Sequence, residues 1–224
     1  MGARKRREEE RRARWEQIVE AARKVFCQKG YHHATISDIE KASRLTSGAI
    51  FYYFKGKDEI YIAALIKGLQ DLRDEFRRAV GEPGLNPEQQ LINVVNSFFE
   101  NYRKEPEFFK MAQYYYFAWE NDKGLRPELM EQVNKVTLES VYLMFDILKK
   151  GNEEGYFSVD PVIGVTSVWI LIANSVHLTK ENPRAAFMGV TWDYMKAGIT
   201  DSILAIVRGG LASKENSIIA RQKA

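Results

Sequence analysis

The residues best suited to chemistry lie between Gly30 and Lys57, where the sequence reads GYHHATISDIEKASRLTSGAIFYYFKGK. Two short helical patterns, over about residues 37–43 and 47–53, are separated by only a few residues, and this spacing predicts a helix-turn-helix. The second pattern begins with small residues and ends with aromatic ones. Small residues allow close approach to another surface, and tyrosine hydroxyls can reach phosphate oxygens. The chemistry indicated is nucleic-acid contact, with the second helix in a major groove.

Capping residues define where these two helices begin. Thr35 is a suitable N-cap for a helix over about residues 36–42, and Thr46 is suitable for the helix that follows. Within the first of these helices we expect Ile39 and Ala42 to face the core. The caps therefore predict both the position of the turn and the start of the second helix.

Helical periodicity dominates the elements that must position this segment, and strand-like alternation is rare. An apolar stripe in the first helix ends at Gly30, because glycine is favoured just past a helix end. A long helix over about residues 58–80 leads into the rest of the chain. Between Phe108 and Trp119 the sequence is apolar on nearly every side and is therefore expected to be buried. Further helical patterns begin near Pro87, Pro106, Leu129, Pro161 and Thr191.

Composition excludes several classes of protein. The chain has 224 residues, of which 45% are hydrophobic and 28% charged, and these values exclude global disorder and a polytopic membrane protein. Cys27 is the single cysteine, which excludes an intramolecular disulfide and a cysteine-built zinc finger and suits a reducing compartment. No apolar stretch follows the basic start, so we expect no signal peptide and a cytoplasmic protein. The uncharged stretch of residues 161–179 contains Asn174 and other polar residues, and we interpret it as a core or subunit-interface helix and not as a membrane span.

The charge is distributed unevenly along the chain. Residues 1–60 contain 14 lysines and arginines against 9 aspartates and glutamates, whereas the remaining residues contain 19 against 21. This asymmetry indicates a polyanionic partner for the first quarter of the chain. The basic run in residues 4–14 has two interpretations. It is either an arm that follows phosphates or enters the minor groove, or a helix extension with many charged pairs.

A series of positions over about the first 65 residues agrees in order and spacing with one known family. They are Phe26, Gly30-Tyr31, Thr35-Ile36, Asp38-Ile39, Ala42, the run from Thr46 to Phe54, and the run from Lys57 to Ile60. In these positions the chain resembles the DNA-binding domain of the TetR (TetR/AcrR) family of bacterial transcriptional regulators. The rest of the chain resembles the family only in length, helical content and helix order.

The resemblance implies an all-α fold in which a three-helix helix-turn-helix domain is joined by a long helix to a C-terminal helical ligand-binding and dimerisation domain. We expect the DNA-binding domain in residues 1–56, the connecting helix in 57–80, the C-terminal domain in 81–212 and a flexible tail in 213–224. The last two long helices, one uncharged and one apolar at helical spacing, are expected to join two copies of the chain about a two-fold axis.

The resemblance also implies a set of DNA contacts. Ser47, Gly48 and Ala49 would lie against base edges or the sugar-phosphate wall, and Tyr52 and Tyr53 would contact phosphates or bases. The complete predicted set is Thr35, Arg44, Thr46, Ser47, Gly48, Ala49, Tyr52, Tyr53 and Lys57.

Other members of this set begin a helix or lie in the turn. Thr35 and Lys57, each at a helix N-terminus, would bind backbone phosphates through the side chain and amide N–H. Arg44, in the turn, either reaches a phosphate or stays solvated.

Phe51 departs from the family, since many members have a phosphate-binding tyrosine there, and we interpret it as a core residue. No Arg, Lys, Asn or Gln occurs in residues 46–53, so specificity is expected from thymine methyl contacts and DNA shape.

Aromatic residues in the middle helices exceed what a small bundle needs for its core, and they predict an apolar small-molecule site. Family members bind an inducer in this region, and the resemblance implies a hydrophobic or aromatic effector. The candidate ligand residues are Phe98, Tyr102, Phe109, Tyr115, Trp119, Tyr142, Phe145, Trp169, Asn174 and His177. For Asn174 and His177, an ordinary core or interface hydrogen bond is the alternative.

The predicted function is a ligand-responsive regulator, in the family's commoner mode a repressor, that binds a palindromic operator as a dimer and is released by a hydrophobic molecule. A transcriptional activator, or a regulator without an inducer, is the alternative, and a helical peptide-binding module is a more remote one. The sequence contains no metal-ligand constellation, no phosphate-binding glycine-rich loop and no nucleophile motif. We therefore predict no catalytic residues, no metal and no cofactor.

Overall fold

The computed structural model describes residues 2–120, 125–176, 178 and 186–209. Within these ranges the chain is helical and contains no strand, which confirms the all-α prediction. The helices are α1 (Ala3–His33), α2 (Ile36–Ser43), α3 (Ser47–Phe51), α4 (Lys57–Val80), α5 (Pro87–Lys104), α6 (Pro106–Ala118), α7 (Pro127–Glu153), α8 (Pro161–Ser175) and α9 (Trp192–Val207), with a 3-10 turn at Ala186–Met188 before α9. The predicted tail in residues 213–224 lies outside the described residues.

The described chain forms two compact units that interleave in sequence. The first contains the residues up to Asp71 together with Glu105–Thr137, and the second contains Leu72–Lys104 together with the residues from Leu138 onward. α4 and α7 each contribute a part to either unit. The first unit therefore combines the helix-turn-helix with α6 and the start of α7. The domain boundaries at residues 56, 80 and 212 stay predictions.

The predicted break at Gly30 is confirmed. Gly30 has φ 70° and ψ 168° inside an otherwise helical span, a conformation that a residue without a Cβ adopts at little cost. The Ala34 N–H donates to the Gly30 carbonyl at 3.2 Å and closes the turn. The chain therefore changes direction at Gly30 within α1, and only two residues separate the end of α1 from α2.

The core of the first unit joins α1, α4 and α6. Ile18 and Phe26 of α1 are buried, and all of residues 60–66 in α4 are buried. The buried hydroxyl of Tyr61 donates to the carbonyl of Met111 at 2.7 Å. This bond connects α4 with α6 and satisfies a phenol that would otherwise lack a partner.

The predictions of burial for α2 and α6 are wrong in part. Ala42 is exposed and Ser43 is buried, because α2 contacts α1 along the i, i+4 line through Ile39 and Ser43 instead of the i, i+3 line. α6 is buried only in its first half, through Phe108, Phe109, Met111 and Ala112, while its last turn is exposed at Tyr116 and Phe117. An apolar sequence on all sides of this helix therefore does not indicate burial on all sides.

The second unit is built from the rest of α4 and α7 with α5, α8 and α9. Pro161 occupies the first turn of α8, and the Asp160 carboxylate accepts from the N–H groups of Val162 and Ile163 at 2.9 and 3.2 Å. Thr191 caps α9 by accepting from the N–H of Tyr194. These starts confirm the predicted ones. None of the described helices is both long enough and apolar enough to cross a membrane.

Close contact between α4 and α6 depends on Gly68. A Cβ added at this position would lie 2.1 Å from a ring carbon of Phe108. We expect Gly68→Ala to lower the free energy of unfolding by about 1–2 kcal/mol, because an overpacking cost of up to about 3 kcal/mol exceeds the helix-propensity gain of about 1 kcal/mol. Urea unfolding measures the effect. Phe108→Leu in the same background should recover part of the loss, and strictly additive losses would contradict this account.

Candidate nucleic-acid interface

α2 begins with a complete capping box. The Thr35 hydroxyl accepts from the Asp38 N–H at 3.1 Å, and the Asp38 carboxylate accepts from the Thr35 N–H at 3.1 Å. The same carboxylate accepts from Lys29 Nζ at 2.6 Å and from the Thr35 hydroxyl at 2.8 Å. The bonds from Lys29 and then Thr35 lower the pKa of Asp38 from 3.8 to about 2. The predicted N-cap role of Thr35 is confirmed.

The turn between α2 and α3 is held from α1. Arg44 ends α2 in the left-handed region, with φ 57° and ψ 34°. Its side chain is exposed, whereas the carbonyl of the preceding Ser43 accepts from Gln17 Nε2 at 2.7 Å. The backbone of the turn is therefore fixed to α1 while the guanidinium points to solvent.

α3 contains only five residues, and its first N–H groups are satisfied from outside the helix. The Thr46 hydroxyl accepts from the Ala49 N–H at 3.3 Å, which confirms Thr46 as the cap. The Glu40 carboxylate of α2 accepts from the Ser47 N–H. Ile50 is fully buried and anchors the inner side of the helix. These three contacts leave the opposite side free.

The exposed side of α3 carries Gly48, Phe51 and Tyr52, which share a face at i, i+3 and i+4. Tyr52 is 71% exposed and Phe51 is 50% exposed, so the interpretation of Phe51 as a core residue is wrong. Its ring faces outward because Ile50, one position earlier, points into the core. A Cβ at Gly48 would meet nothing within 4 Å. This face combines a small residue with two large rings.

The remaining predicted contact residues of the segment differ in exposure. Thr35 and Thr46 are exposed, and Ser47, Ala49 and Tyr53 are half-buried. The rings of Tyr52 and Tyr53 meet edge to face at 5.0 Å between centroids. Of the two, Tyr52 extends further into solvent.

Lys57 is engaged within the protein. Its ammonium donates to the carbonyls of Tyr31 and Ala34 at 3.0 and 3.2 Å and lies 4.3 Å from the centroid of the Tyr31 ring. The Tyr31 hydroxyl in turn bonds to Asp58. Lys57 therefore joins the start of α4 to the end of α1 and to the residue that follows it, and the sequence alone does not indicate this role.

The basic start of the chain is helical from Ala3 onward. Arg4, Lys5, Arg6 and Arg12 each pair with a glutamate four residues later, at 2.8–3.9 Å. The conformation is thus the helix extension with charged pairs, one of the two interpretations drawn from the sequence.

The predicted ligand residues fall into two groups, one in each unit. Phe109, Tyr115 and Trp119 belong to the first unit, and His177 lies outside the described residues. The second unit contains Phe98, Tyr102, Tyr142, Phe145, Trp169 and Asn174. No cluster within either unit contains the whole set.

Within the second unit, the predicted ligand residues differ in their surroundings. Phe98 meets Trp169 edge to face at 6.4 Å. Tyr142 is exposed. Asn174 is also exposed, and its amide donates to the Ile170 carbonyl at 2.7 Å, so this amide already has a backbone partner in its own helix.

A cavity of about 350 Å³ lies in the first unit between the end of α1 and α6. Its lining includes Phe26, Cys27 and Tyr61 but none of the predicted ligand residues. Burial raises the pKa of Cys27 to about 11, so its thiol is a poor nucleophile. Among the described residues, no three His, Cys, Asp or Glu side chains are grouped so that they could hold a metal ion.

Residues 18–64, which contain most of α1, the helix-turn-helix and the start of α4, match the family described as bacterial regulatory proteins, tetR family. This N-terminal segment is a TetR-family domain, as its sequence predicts. Members of this family are transcription factors, and the coarse prediction of a helix-turn-helix regulator is confirmed.

Similar proteins cover more of the chain than the family match does. The HTH-type transcriptional repressor NicS of Pseudomonas putida is 27% identical over 74% of this chain and 74% of its own length. The HTH-type transcriptional activator FasR of Mycolicibacterium smegmatis is 27% identical over 60% of this chain and 58% of its own. The structure of the transcriptional regulator FadR from Bacillus subtilis in complex with stearoyl-CoA matches 88% of this chain and 99% of its own, with a TM-score of 0.65 and 20% identity. The last match shows a shared fold.

The open space around Gly48 allows its role to be separated from stability. We expect Gly48→Leu to fold and to unfold at the same or a slightly higher denaturant concentration, because leucine favours a helix by up to about 1 kcal/mol over glycine. Affinity for DNA should fall at least about tenfold, because a leucine side chain prevents close approach to the groove. Fluorescence anisotropy with a promoter duplex and urea unfolding measure the two effects. Unchanged DNA affinity would remove Gly48 from the interface.

The capping box predicts a pH dependence of stability. The pKa of Asp38 is lowered on folding, so its contribution to stability is present above pH 3.8 and is lost as the pH falls towards about 2. We expect the midpoint of urea unfolding to fall less steeply between pH 5 and 2 in Asp38→Asn than in the wild type. Lys29→Met, which removes the main partner, should give an intermediate slope. Parallel curves for all three proteins would refute this account of the cap.

Proposed function

We propose that the protein is a ligand-responsive transcriptional repressor that binds a palindromic operator as a homodimer and is released by a hydrophobic small molecule. The observation that carries the proposal is the exposed face of α3. Its cap and buried side are fully used within the protein, while Gly48, Phe51 and Tyr52 contact solvent. A packing helix would bury large rings instead of exposing them.

In this proposal α3 enters the major groove with its N-terminal end towards the bases. Ser47, Gly48 and Ala49 approach base edges, and the hydroxyls of Tyr52 and Tyr53 donate to phosphates. No side chain of α3 can form a bidentate bond with a purine, so base discrimination depends on methyl contacts, Phe51 included, and on DNA shape.

Backbone phosphates are bound by exposed groups around this helix. Arg44 is exposed beside the turn, and Thr35 is exposed at the start of α2. Lys57 acts mainly through the helix N-terminus that it begins, since its ammonium is bonded to two carbonyls. These contacts orient the domain on the duplex without reading its sequence.

Dimerisation is proposed through α8 and α9. Val162 and Ile170 of α8 and Tyr194 of α9 are 62%, 56% and 75% exposed. Exposed apolar residues on two adjacent long helices are typical of a subunit interface, and a two-fold contact is the default for identical chains. Two copies would present two α3 helices to the two halves of a palindrome.

The effector is proposed to be hydrophobic. Phe98 and Trp169 of the second unit meet edge to face, and aromatic residues such as these and Tyr102 suit a mostly apolar site. The FadR structure of similar fold holds stearoyl-CoA, which makes this compound the first probe to test. Activation is the alternative, because a relative of similar identity is described as an activator.

The proposed response is a shift between two arrangements of the dimer. The effector binds one arrangement more tightly, and in that arrangement the spacing of the two α3 helices no longer matches the half-sites. The effector can shift this equilibrium only by its difference in affinity for the two states.

The function is tested with a duplex from the promoter of the chain's own gene. We expect tight binding whose logarithmic affinity falls steeply with the logarithm of salt concentration, at about 0.9 per phosphate contacted, and much weaker binding to a scrambled duplex. Ile170→Glu should give a folded monomer with operator affinity lowered at least about tenfold, because a charge on an apolar face prevents dimerisation. Sedimentation velocity and anisotropy measure both effects.

A charge placed elsewhere provides the control. Tyr156 is exposed in the loop after α7, and Tyr156→Glu should leave both dimerisation and DNA affinity unchanged. A wild-type protein that shows no preference for the promoter duplex, or that is monomeric when bound to it, would overturn the proposal.

A further inference from the structure

A buried carboxylate lies next to the end of α3. Glu59, in the first turn of α4, has a side chain that is only 2% exposed. One of its oxygens accepts from the Lys55 N–H at 2.8 Å, and the other accepts from Arg126 Nε at 2.9 Å. A buried charge requires such partners, because it has lost its hydration.

Arg126 reaches this carboxylate from a distant part of the sequence. It directly precedes Pro127, the first residue of α7, and lies 67 positions from Glu59. Its Nη2 donates to the carbonyl of Tyr53 at 3.2 Å, two residues beyond the end of α3. We call this pair of bonds, from Arg126 to Glu59 and to Tyr53, the Arg126 bridge. All four residues, Lys55 included, belong to the first unit.

The bridge restrains the part of the chain that has least support of its own. α3 has only five residues, little more than one helical turn, and isolated helices of this length do not persist in water. Its N-terminal end is held by Thr46 and Glu40. The Arg126 bridge holds the opposite end, where Tyr52 and Tyr53 lie.

We propose that Arg126 is a positioning residue for DNA recognition. It fixes the C-terminal end of α3 through the Tyr53 carbonyl, is itself oriented by Glu59, and does not contact DNA. The segment before α7 thereby controls the direction of the tyrosines, so that displacing the start of α7 releases α3. This inference rests on the proposed function and adds the device by which the rest of the protein reaches the recognition helix.

Glu59→Gln distinguishes positioning from electrostatics. The substitution removes a negative charge near the DNA-binding face, so charge alone predicts tighter binding to DNA. The glutamine oxygen can still accept from the Lys55 N–H, but the attraction for Arg126 is lost. The bridge therefore predicts binding weaker by about three- to tenfold, the size expected for the net loss of one ordinary hydrogen bond. Tighter binding by Glu59→Gln would overturn the proposal.

Arg126→Ala and Arg126→Lys complete the series. We expect Arg126→Ala to bind the promoter duplex about tenfold more weakly, and Arg126→Lys to recover part of the affinity, since lysine restores the charge but not the fork of donors. If Arg126→Ala does not fold, Arg126→Lys and Glu59→Gln decide whether Arg126 is a positioning residue. In the double variant Arg126→Lys with Glu59→Gln, the losses should be less than additive.

Two further readouts separate positioning from a phosphate contact and from general destabilisation. The slope of logarithmic affinity against logarithmic salt should be unchanged in Arg126→Lys and Arg126→Ala, whereas loss of a phosphate contact would reduce it by about 0.9. Hydrogen exchange should accelerate at the amides of Tyr53 and Phe54, which are bonded to the Ile50 carbonyl, and not at Ile18 in the core of α1. A reduced slope, or exchange that accelerates equally at both places, would refute the bridge.

The control for charge removal is Arg78→Ala. Arg78 is an exposed arginine of α4 in the second unit and pairs with Glu75, three residues earlier in the same helix, so this variant should match the wild type in affinity and exchange. A wild-type protein that does not bind the promoter would end the proposed function, while exchange at Tyr53 and Phe54 in the variants would still decide whether Arg126 holds α3.

Discussion

A helix of five residues cannot maintain its own position, and this constraint governs the first unit. The cost of nucleation exceeds what so few internal hydrogen bonds return. α3 therefore depends on groups that other elements supply: the Thr46 hydroxyl, the Glu40 carboxylate, the core around Ile50 and the guanidinium of Arg126. The direction of its outer face is consequently a property of the whole unit, and changes far from DNA can alter it.

The residues that hold the helix are distinct from those that its outer face presents. Lys57 illustrates the difference, since a basic residue at a helix start is expected to bind phosphate, yet its ammonium bonds to the carbonyls of Tyr31 and Ala34. If substitution of Lys57 abolished DNA binding, that result would not by itself show that Lys57 contacts DNA. Salt dependence and local hydrogen exchange separate the two roles, because a positioning residue changes exchange without changing the number of phosphates contacted.

Local signals in the sequence predict the helices and their ends well, but they do not predict long-range contacts. The caps Thr35 and Thr46 and the break at Gly30 depend on neighbouring residues, so pattern and spacing were sufficient. The predictions that Ala42 and Phe51 lie in the core are wrong, because one residue of helix rotation decides which side of α2 or α3 faces the core, and tertiary contacts set that rotation. The contact of Arg126 with Glu59 joins positions 67 apart, and no local pattern indicates it.

The two interpretations of the basic start are compatible in physical terms. The pairs Arg4–Glu8, Arg6–Glu10 and Arg12–Glu16 are exposed, and such pairs stabilise a helix by only about 0.3–0.5 kcal/mol each. A phosphate competes well against a partner held so weakly, because the duplex carries a dense row of charges and releases its counterions on binding. The glutamates can thus stabilise α1 in the free protein and still leave the arginines available to DNA. Such exchange would add affinity without sequence preference, which suits a recognition helix that has no bidentate donor.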